Sequence, residues 1–378
     1  MHPLLDETHE LVKKSAAEFA EREIDPIIKN MENYEYPRET LRSMGKLGLL
    51  APMGPTDYGG PGLDFRSEIL TVEEVAKHSP GIATILEIQG SLIVDTLATY
   101  GSTAIKEKYL PRAISGDLII SYALSEPCCG SDAAALESTA KREGGEWILN
   151  GHKMWITSGM NADAYLVFAR TGPREERHRS ITAFMVDRNN CVETNPIHVI
   201  GLRGTGTAEV KFVDCRLGDE SVVGEVNKGF YVAINSLNLG RTCVGSIGLG
   251  IAERAFREAL NYIKQRNAFG KLLADFQSLQ HYAANMYAQI ESTRSLVYTA
   301  AYMKDKGSSD FLLYAHAAKL LGSRLGVDST RIAIQMMGGM GLSTDTVLEM
   351  LYRDAKVTEI YEGANEIILN TIYKFMEK

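Results

Sequence analysis

Hydrophobic periodicity changes twice along this chain, and those changes restrict its fold more than any single motif does. Leu11, Val12, Ala16, Phe19, Ala20 and Ile24 recur at spacings of three and four, the period of one helical face, until Pro26 stops the segment. Short helices are expected after it, separated by a loop at Tyr58-Gly59-Gly60-Pro61-Gly62. Near residue 118 the pattern becomes a series of β-rich runs at residues 118–124, 146–149, 152–157, 164–169, 181–186 and 208–213. A hairpin is expected where Trp147-Ile148-Leu149 meets Asn150-Gly151 and then Met154-Trp155-Ile156, because Asn-Gly readily supplies the positive φ angles of a two-residue turn. The charged residues 173–179 read as an exposed loop. From about residue 229 the helical period returns. Phe276, Leu279, Ala283, Met286, Ile290 and Val297 continue one apolar stripe, and a second long helix is expected over residues 311–337. The expected fold class is α+β, with an all-α domain over residues 1–117, a β domain over 118–228 and a helical bundle over 229–378.

Composition narrows the function classes. A net charge of −8 and the absence of a dense Lys/Arg run argue against nucleic acid as a partner. Apolar stretches are interrupted, as where Leu92-Ile93-Val94 meets Asp95, before the roughly 18 residues of a membrane span, so none is expected. The first residues, Met1-His2-Pro3-Leu4-Leu5-Asp6-Glu7, lack a basic segment followed by an apolar core. The expected localisation is cytoplasmic, or the mitochondrial matrix if a transit peptide has been removed. Cys128, Cys129, Cys191, Cys215 and Cys243 are odd in number and without paired ligand spacing, and are expected to be reduced thiols. The eight histidines are scattered, so no metal site is expected.

Familiar catalytic motifs are missing. No complete G-x-G-x-x-G follows a strand, and no P-loop, G-x-S-x-G or H-E-x-x-H occurs. What remains is a set of polar, glycine-bearing segments at the ends of elements. Leu124-Ser125-Glu126-Pro127-Cys128-Cys129-Gly130-Ser131-Asp132 either exposes backbone amides to a ligand or is an ordinary turn. Trp155 and Thr157, two apart, are expected on one strand face, as a ligand platform or as core. In Gln265-Arg266-Asn267-Ala268-Phe269-Gly270-Lys271, the cations serve either a phosphate or a helix C-terminus. Gln335-Met336-Met337-Gly338-Gly339-Met340-Gly341 is either a flexible helix end or a close approach to a cofactor. Glu362, beside Gly363 between two helical patterns, is read as a catalytic base, and its plain alternative is a surface glutamate at a helix break.

Together, and in order over nearly the whole chain, these segments resemble the acyl-CoA dehydrogenase family. The resemblance is carried by Ala123-Leu124-Ser125-Glu126-Pro127 with Gly130-Ser131-Asp132, Asn150-Gly151-His152-Lys153-Met154-Trp155-Ile156-Thr157 and Gly201-Leu202-Arg203. It continues through Arg266-Asn267-Ala268-Phe269-Gly270, Gln335 with Gly338-Gly339, and residues 353–366. It implies an N-terminal helical domain, a β-barrel-like middle domain and a C-terminal four-helix bundle, with FAD between the β domain and the helices. It also implies a homotetramer built as a dimer of dimers.

Residue by residue, the resemblance implies that Tyr122, Leu124, Ser125, Gly130, Ser131, Trp155 and Thr157 hold the flavin ring. Arg266, Phe269, Gln335 and Gly339 would bind the adenosine diphosphate half, partly across the subunit interface, and Ala364 and Glu366 match further FAD positions. Glu362 matches the family's base, and Ser131, Arg241, Tyr361 and Gly363 match substrate positions. The implied reaction removes the α-proton of an acyl-CoA and passes the β-hydrogen as hydride to flavin N5, giving a trans-2-enoyl-CoA. A positioned base is required because a thioester α-hydrogen is only weakly acidic. Electrons would then pass to an electron-transferring flavoprotein.

Some relatives place the base one position before Arg241, which here is Gly240, so Glu362 is left as the only base at either family site. The motifs look most like short-chain members, implying a short- to medium-chain substrate, with Glu87 near the position that sets pocket depth. Ala364 replaces a usual threonine and Cys128-Cys129 replaces usual small residues. The alternatives are another flavoenzyme on the same fold, an enoyl-CoA reductase or oxidase, or a non-catalytic acyl-CoA-binding homologue.

Overall fold

A computed structural model describes residues 2–377, so Met1 and Lys378, the outermost residues of the first and last expected domains, lie outside the described residues. The N-terminal third contains α1 (Glu7–Phe19), α2 (Ile28–Glu32), α3 (Arg38–Lys46), α4 (Phe65–Ala76), α5 (Pro80–Glu87), α6 (Asp95–Tyr100) and α7 (Thr103–Ile114). Asp6, Asp64 and Ser79 cap α1, α4 and α5 by accepting from backbone N–H groups that the first helical turn leaves without partners. Pro26 does not follow α1 directly. The helix first widens into a π turn over Ala20–Ile24, and Pro26 then lies in a 3-10 turn. The segment Pro80–Tyr100 is long and apolar enough to cross a membrane by length and composition, but 89% of that stretch is buried inside the protein.

The middle third contains β1 (Ile120–Ala123), β2 (Thr139–Glu143), β3 (Glu146–Ile156), β4 (Ala164–Arg170), β5 (Ile181–Asp187), β6 (Val192–Pro196), β7 (Ala208–Leu217) and β8 (Val222–Val223). They form one sheet in the order β6-β7-β3-β2-β4-β5-β8, with β1 parallel to β4. Period two explains why β4 is buried at every residue. Leu166 and Phe168 enter a core shared with the N-terminal helices, while Tyr165, Val167 and Ala169 enter the core within the β domain.

Two local expectations are corrected here. Asn150-Gly151 is not a hairpin turn but a bulge inside the continuous strand β3. Asn150 exchanges hydrogen bonds with Asp214 across the sheet, and a Cβ on Gly151 would lie 2.6 Å from Ser138 Cβ. The hairpin instead joins β2 to β3 at Gly144-Gly145, both with positive φ. Trp155 and Thr157 also do not share a strand face. Trp155 takes φ 64° and β3 ends at Ile156, so the alternation of faces stops there.

The last third contains α8 (Gly229–Ile263), a small hairpin of β9 (Asn267–Ala268) and β10 (Lys271–Leu272), α9 (Gln277–Asp305), α10 (Phe311–Met337), α11 (Leu348–Thr358) and α12 (Asn365–Met376). The expected long helix coincides with α10, and Met286, Ile290 and Val297 of the expected stripe are buried along α9.

Helices α8 and α10 approach through glycine. A Cβ on Gly245 would lie 2.6 Å from the Ala318 carbonyl oxygen, and Cβ atoms on Gly248 and Gly322 would collide with backbone of the facing helix.

The cysteines also differ from expectation. Cys128 is bonded to Cys129, and Cys191 to Cys215, leaving Cys243 as the buried free thiol. The second pair follows from topology, since β6 lies against β7 and brings these Cα atoms to 5.3 Å, a separation that spacing along the chain does not reveal. Gly248→Val should destabilise the protein by roughly 3 kcal/mol, because the facing backbone cannot yield to a branched side chain. Thermal and denaturant unfolding would read this, and an unchanged midpoint would rule out a sterically closed α8–α10 contact.

Candidate active site

Glu362 lies in the connection between α11 and α12 with φ 54°, followed by Gly363 with φ 101°. A left-handed glutamate is strained and persists only where its surroundings fix it. Here Lys319 of α10, fully buried, donates to the Gly363 carbonyl at 2.7 Å and to Asn365 Oδ1 at 2.9 Å. Ser323 donates to the same Asn365 oxygen at 3.1 Å, and Arg241 Nε donates to the Glu362 carbonyl at 3.3 Å. Arg241 is itself held by Asn238 at 2.6 Å. Its guanidinium therefore braces the Glu362 backbone from α8.

The Glu362 side chain points to Gly240 on α8. A Cβ there would lie 2.6 Å from Glu362 Oε1 and 2.6 Å from Glu87 Oε1, so the two carboxyls converge on the space that a side chain at residue 240 would fill. Glu362 Oε2 and both Glu87 carboxyl oxygens are buried without a donor among the described residues. Burial raises both carboxyls above the ordinary range. Glu87 stands well above it, because the Glu362 charge adds to burial, whereas Arg241 and Lys319 partly offset burial at Glu362. Tyr361 and Thr84 share a hydroxyl hydrogen bond of 3.2 Å beside the pair. Deeper along α4, Glu68 is pushed up to about 8 by burial and accepts from Ser91 at 2.5 Å.

The β-domain segment Leu124–Asp132 owes its shape to Lys153, which has no exposed surface. Its ammonium donates to Glu126 at 2.7 Å, to the Phe168 carbonyl at 2.7 Å and to the Leu124 carbonyl at 3.1 Å. Glu126 also accepts from the backbone N–H groups of Glu137 and Ser138. The Met154 N–H donates to the Ser125 carbonyl at 2.9 Å, joining this loop to the end of β3. Burial alone would raise Glu126, yet Lys153 and these donors hold it below the ordinary range. Gly130 and Ser131 are exposed, Ser125 is half-buried, and Leu124 is nearly covered. Tyr122 donates its hydroxyl to the Ala233 carbonyl on α8 at 3.2 Å, tying β1 to the helical bundle. Thr157 is reached through its backbone carbonyl, which accepts from Ser121. The Trp155 indole is 58% exposed.

The remaining expected cofactor residues lie on other elements. Arg266 is exposed and forms no ion pair among the described residues. Phe269, at the tip of the β9–β10 hairpin, is 97% exposed. Gln335 and Gly339 are exposed where α10 ends, Ala364 is the residue before α12, and Glu366 is exposed in the first turn of α12. Among the described residues, no hydrogen bond joins the hairpin or the α10 end to the β-domain loop. Sequence reasoning missed Lys153, Lys319 and the contact between Glu87 and Glu362. A lysine amid apolar strand residues was the one available signal for Lys153; nothing along the chain signals the other two.

Residues 6–117, 121–215 and 227–377 match the N-terminal, middle and C-terminal domains of acyl-CoA dehydrogenase. The chain belongs to the acyl-CoA dehydrogenase family and is an oxidoreductase. It is 38% identical over 366 residues to the mitochondrial short-chain specific acyl-CoA dehydrogenase of Homo sapiens, covering 96% of this chain and 88% of that one. It is 36% identical over 364 residues to the 3-(aryl)acrylate reductase of Clostridium sporogenes, covering 96% of each. Butyryl-CoA dehydrogenase from Megasphaera elsdenii superposes with a TM-score of 0.96 at 34% identity, covering 99% of each chain.

FAD is the cofactor of this family, and the residues present fit it. An exposed indole at the end of β3, a rigid loop of hydroxyls and glycine beside it, and an arginine without an ion-pair partner suit a planar ring and a diphosphate. Lys153→Met should strand the Glu126 carboxylate in the interior and destabilise the protein by about 3–5 kcal/mol. The variant should also lose FAD faster on dilution, followed by flavin fluorescence. Wild-type stability and FAD retention together would refute this role for Lys153.

Proposed function

We propose that this protein catalyses α,β-dehydrogenation of a short- to medium-chain acyl-CoA to the trans-2-enoyl-CoA, with Glu362 as the base that takes the α-proton. The observation that carries this reading is the Glu362 carboxyl itself. Its Oε2 atom is buried without a donor among the described residues, its backbone and that of Gly363 are fixed by Arg241 and Lys319, and desolvation raises it above the ordinary carboxylate range. A carboxylate in such a place is a stronger base than one in water, which a weakly acidic C–H requires. When bound, FAD supplies the hydride acceptor.

The chain's residues do the rest. Tyr361 and Thr84 exclude water beside the base, and Gly240 leaves room for the carboxyl to reach substrate. The Glu362 backbone N–H is the donor proposed for the thioester carbonyl, where negative charge develops as the α-proton leaves. Ser131 is proposed to contact the CoA arm, and Gly363 permits close approach of the thioester. Likeness to relatives named for short chains and for butyryl-CoA supports the chain-length reading. An electron-transferring flavoprotein is the proposed acceptor and a homotetramer the proposed assembly, and the exposed Phe269 is consistent with a contact to a second chain. The C. sporogenes relative supports a second reading, the same residues working in the reductive direction on a 2-enoyl thioester.

Anaerobic mixing of the FAD-loaded protein with butyryl-CoA, octanoyl-CoA or isobutyryl-CoA should bleach the oxidised flavin, fastest with butyryl-CoA. Glu362→Gln should bind FAD normally and slow bleaching about 10²–10⁴-fold. Oxidised flavin that no saturated acyl-CoA bleaches, together with reduced flavin that a 2-enoyl-CoA reoxidises, would establish the reductive reading instead.

A further inference from the structure

Glu87 is a second carboxyl at the site, and no part of the reaction described above uses it. It is the last residue of α5, has no exposed surface, and neither of its oxygens meets a donor among the described residues. The Glu362 carboxyl is the polar group it faces across Gly240. As two carboxylates the pair would set like charges against each other away from water, with three buried oxygens lacking donors among the described residues, an arrangement that sharing one proton relieves. We infer that Glu87 and Glu362 hold a single proton between them, carried by Glu87, whose carboxylic O–H donates to Glu362 and keeps the base ionised and aimed. The inference rests on the reading of Glu362 as the base.

The surroundings decide which carboxyl carries the proton. Glu362 lies toward the cations, Arg241 on α8 and Lys319 on α10. Glu87 faces Glu68 on α4, Cys243 on α8 and Tyr361 in the catalytic loop, none of which brings positive charge, while Tyr122 approaches from β1. The anion therefore belongs on Glu362 and the neutral acid on Glu87. When substrate reacts, the α C–H bond breaks and a new O–H bond forms on Glu362. The electron pair of that C–H bond passes into the new Cα–Cβ double bond as the β-hydrogen leaves as hydride, and the carboxyl pair passes from one negative charge to none. Glu87 is thus a positioning residue. It acts through Glu362, and its part is a donor hydrogen bond that stabilises the ionised base.

Removing that donor should move the acid limb of the reaction in a definite direction. The rate falls as Glu362 becomes protonated, and a carboxylate that loses a donor is protonated at higher pH. In FAD-loaded protein, the rate of anaerobic flavin bleaching by butyryl-CoA should be followed against pH for three proteins. In Glu87→Leu the acid limb should move to higher pH by about one unit. In Glu87→Gln, whose amide N–H can still donate, it should stay at the wild-type position. A purely packing role would lower the rate in one or both variants without separating their limbs, and that result would overturn the inference.

Infrared spectra at neutral pH test the same point without turnover. One component of the protonated-carboxyl absorption should vanish in Glu87→Gln and persist in Glu362→Gln. The reverse pattern would place the proton on Glu362 and overturn the inference even where no thioester bleaches the flavin. That failure of bleaching would tell against the proposed reaction alone.

Discussion

The close approach of α8 and α10 is the constraint on which the site depends. Gly245 and Gly248 of α8 meet Gly322 and the Ala318 carbonyl of α10 at distances that leave no room for a Cβ. That contact sets how near Lys319, one residue beyond Ala318, comes to the loop that carries Glu362. Lys319 then holds the Gly363 carbonyl, and Arg241 from α8 holds the Glu362 carbonyl, so two packed helices grip successive residues of one strained connection. Gly240 extends the same logic toward the pocket, where the absent side chain leaves space for two carboxyls. Close packing is therefore what makes the left-handed backbone at Glu362 affordable in free energy.

The β domain solves a different problem. The segment Leu124–Asp132, proposed to meet the cofactor, is a loop, the part of a fold that is usually most mobile, and it has to be held in place. A buried ion pair does this, with Lys153 spanning the Leu124 and Phe168 carbonyls and Glu126 gathering two backbone N–H groups. Buried pairs of this kind add little net stability over apolar packing, but losing one partner is severe, which suits a device whose purpose is position. Tyr122 then couples the sheet to α8, so the strand that leads into this loop and the helix that carries Gly240 and Arg241 are braced together.

Much of the architecture was legible in the chain, because helix and strand periods are local properties of the sequence. The extent of α10 and the buried stripe on α9 follow from spacing alone. Asn150-Gly151 misled because the same dipeptide serves a two-residue turn and a bulge, and the choice is made by Ser138 and Asp214, which are distant in sequence. Trp155 misled because its left-handed φ breaks the alternation that the same-face argument assumed. The cysteine pairing at Cys191 and Cys215 was hidden for a similar reason, since strand order is a non-local fact. At the site, the motif around Glu362 was readable through its family resemblance. Its contact with Glu87 was not, because that contact exists only after α5 and the Glu362 loop meet across Gly240.

The central claim is that Glu362 removes the α-proton of an acyl thioester, and the most direct test separates that step from hydride transfer. 3,3-Dimethylbutyryl-CoA has α-hydrogens but no β-hydrogen, so it can exchange at C2 without undergoing dehydrogenation. In deuterated water, the FAD-loaded wild-type protein should wash deuterium into C2, detected by mass spectrometry of the recovered thioester, and Glu362→Gln should not. Exchange at the same rate in both proteins would contradict the account.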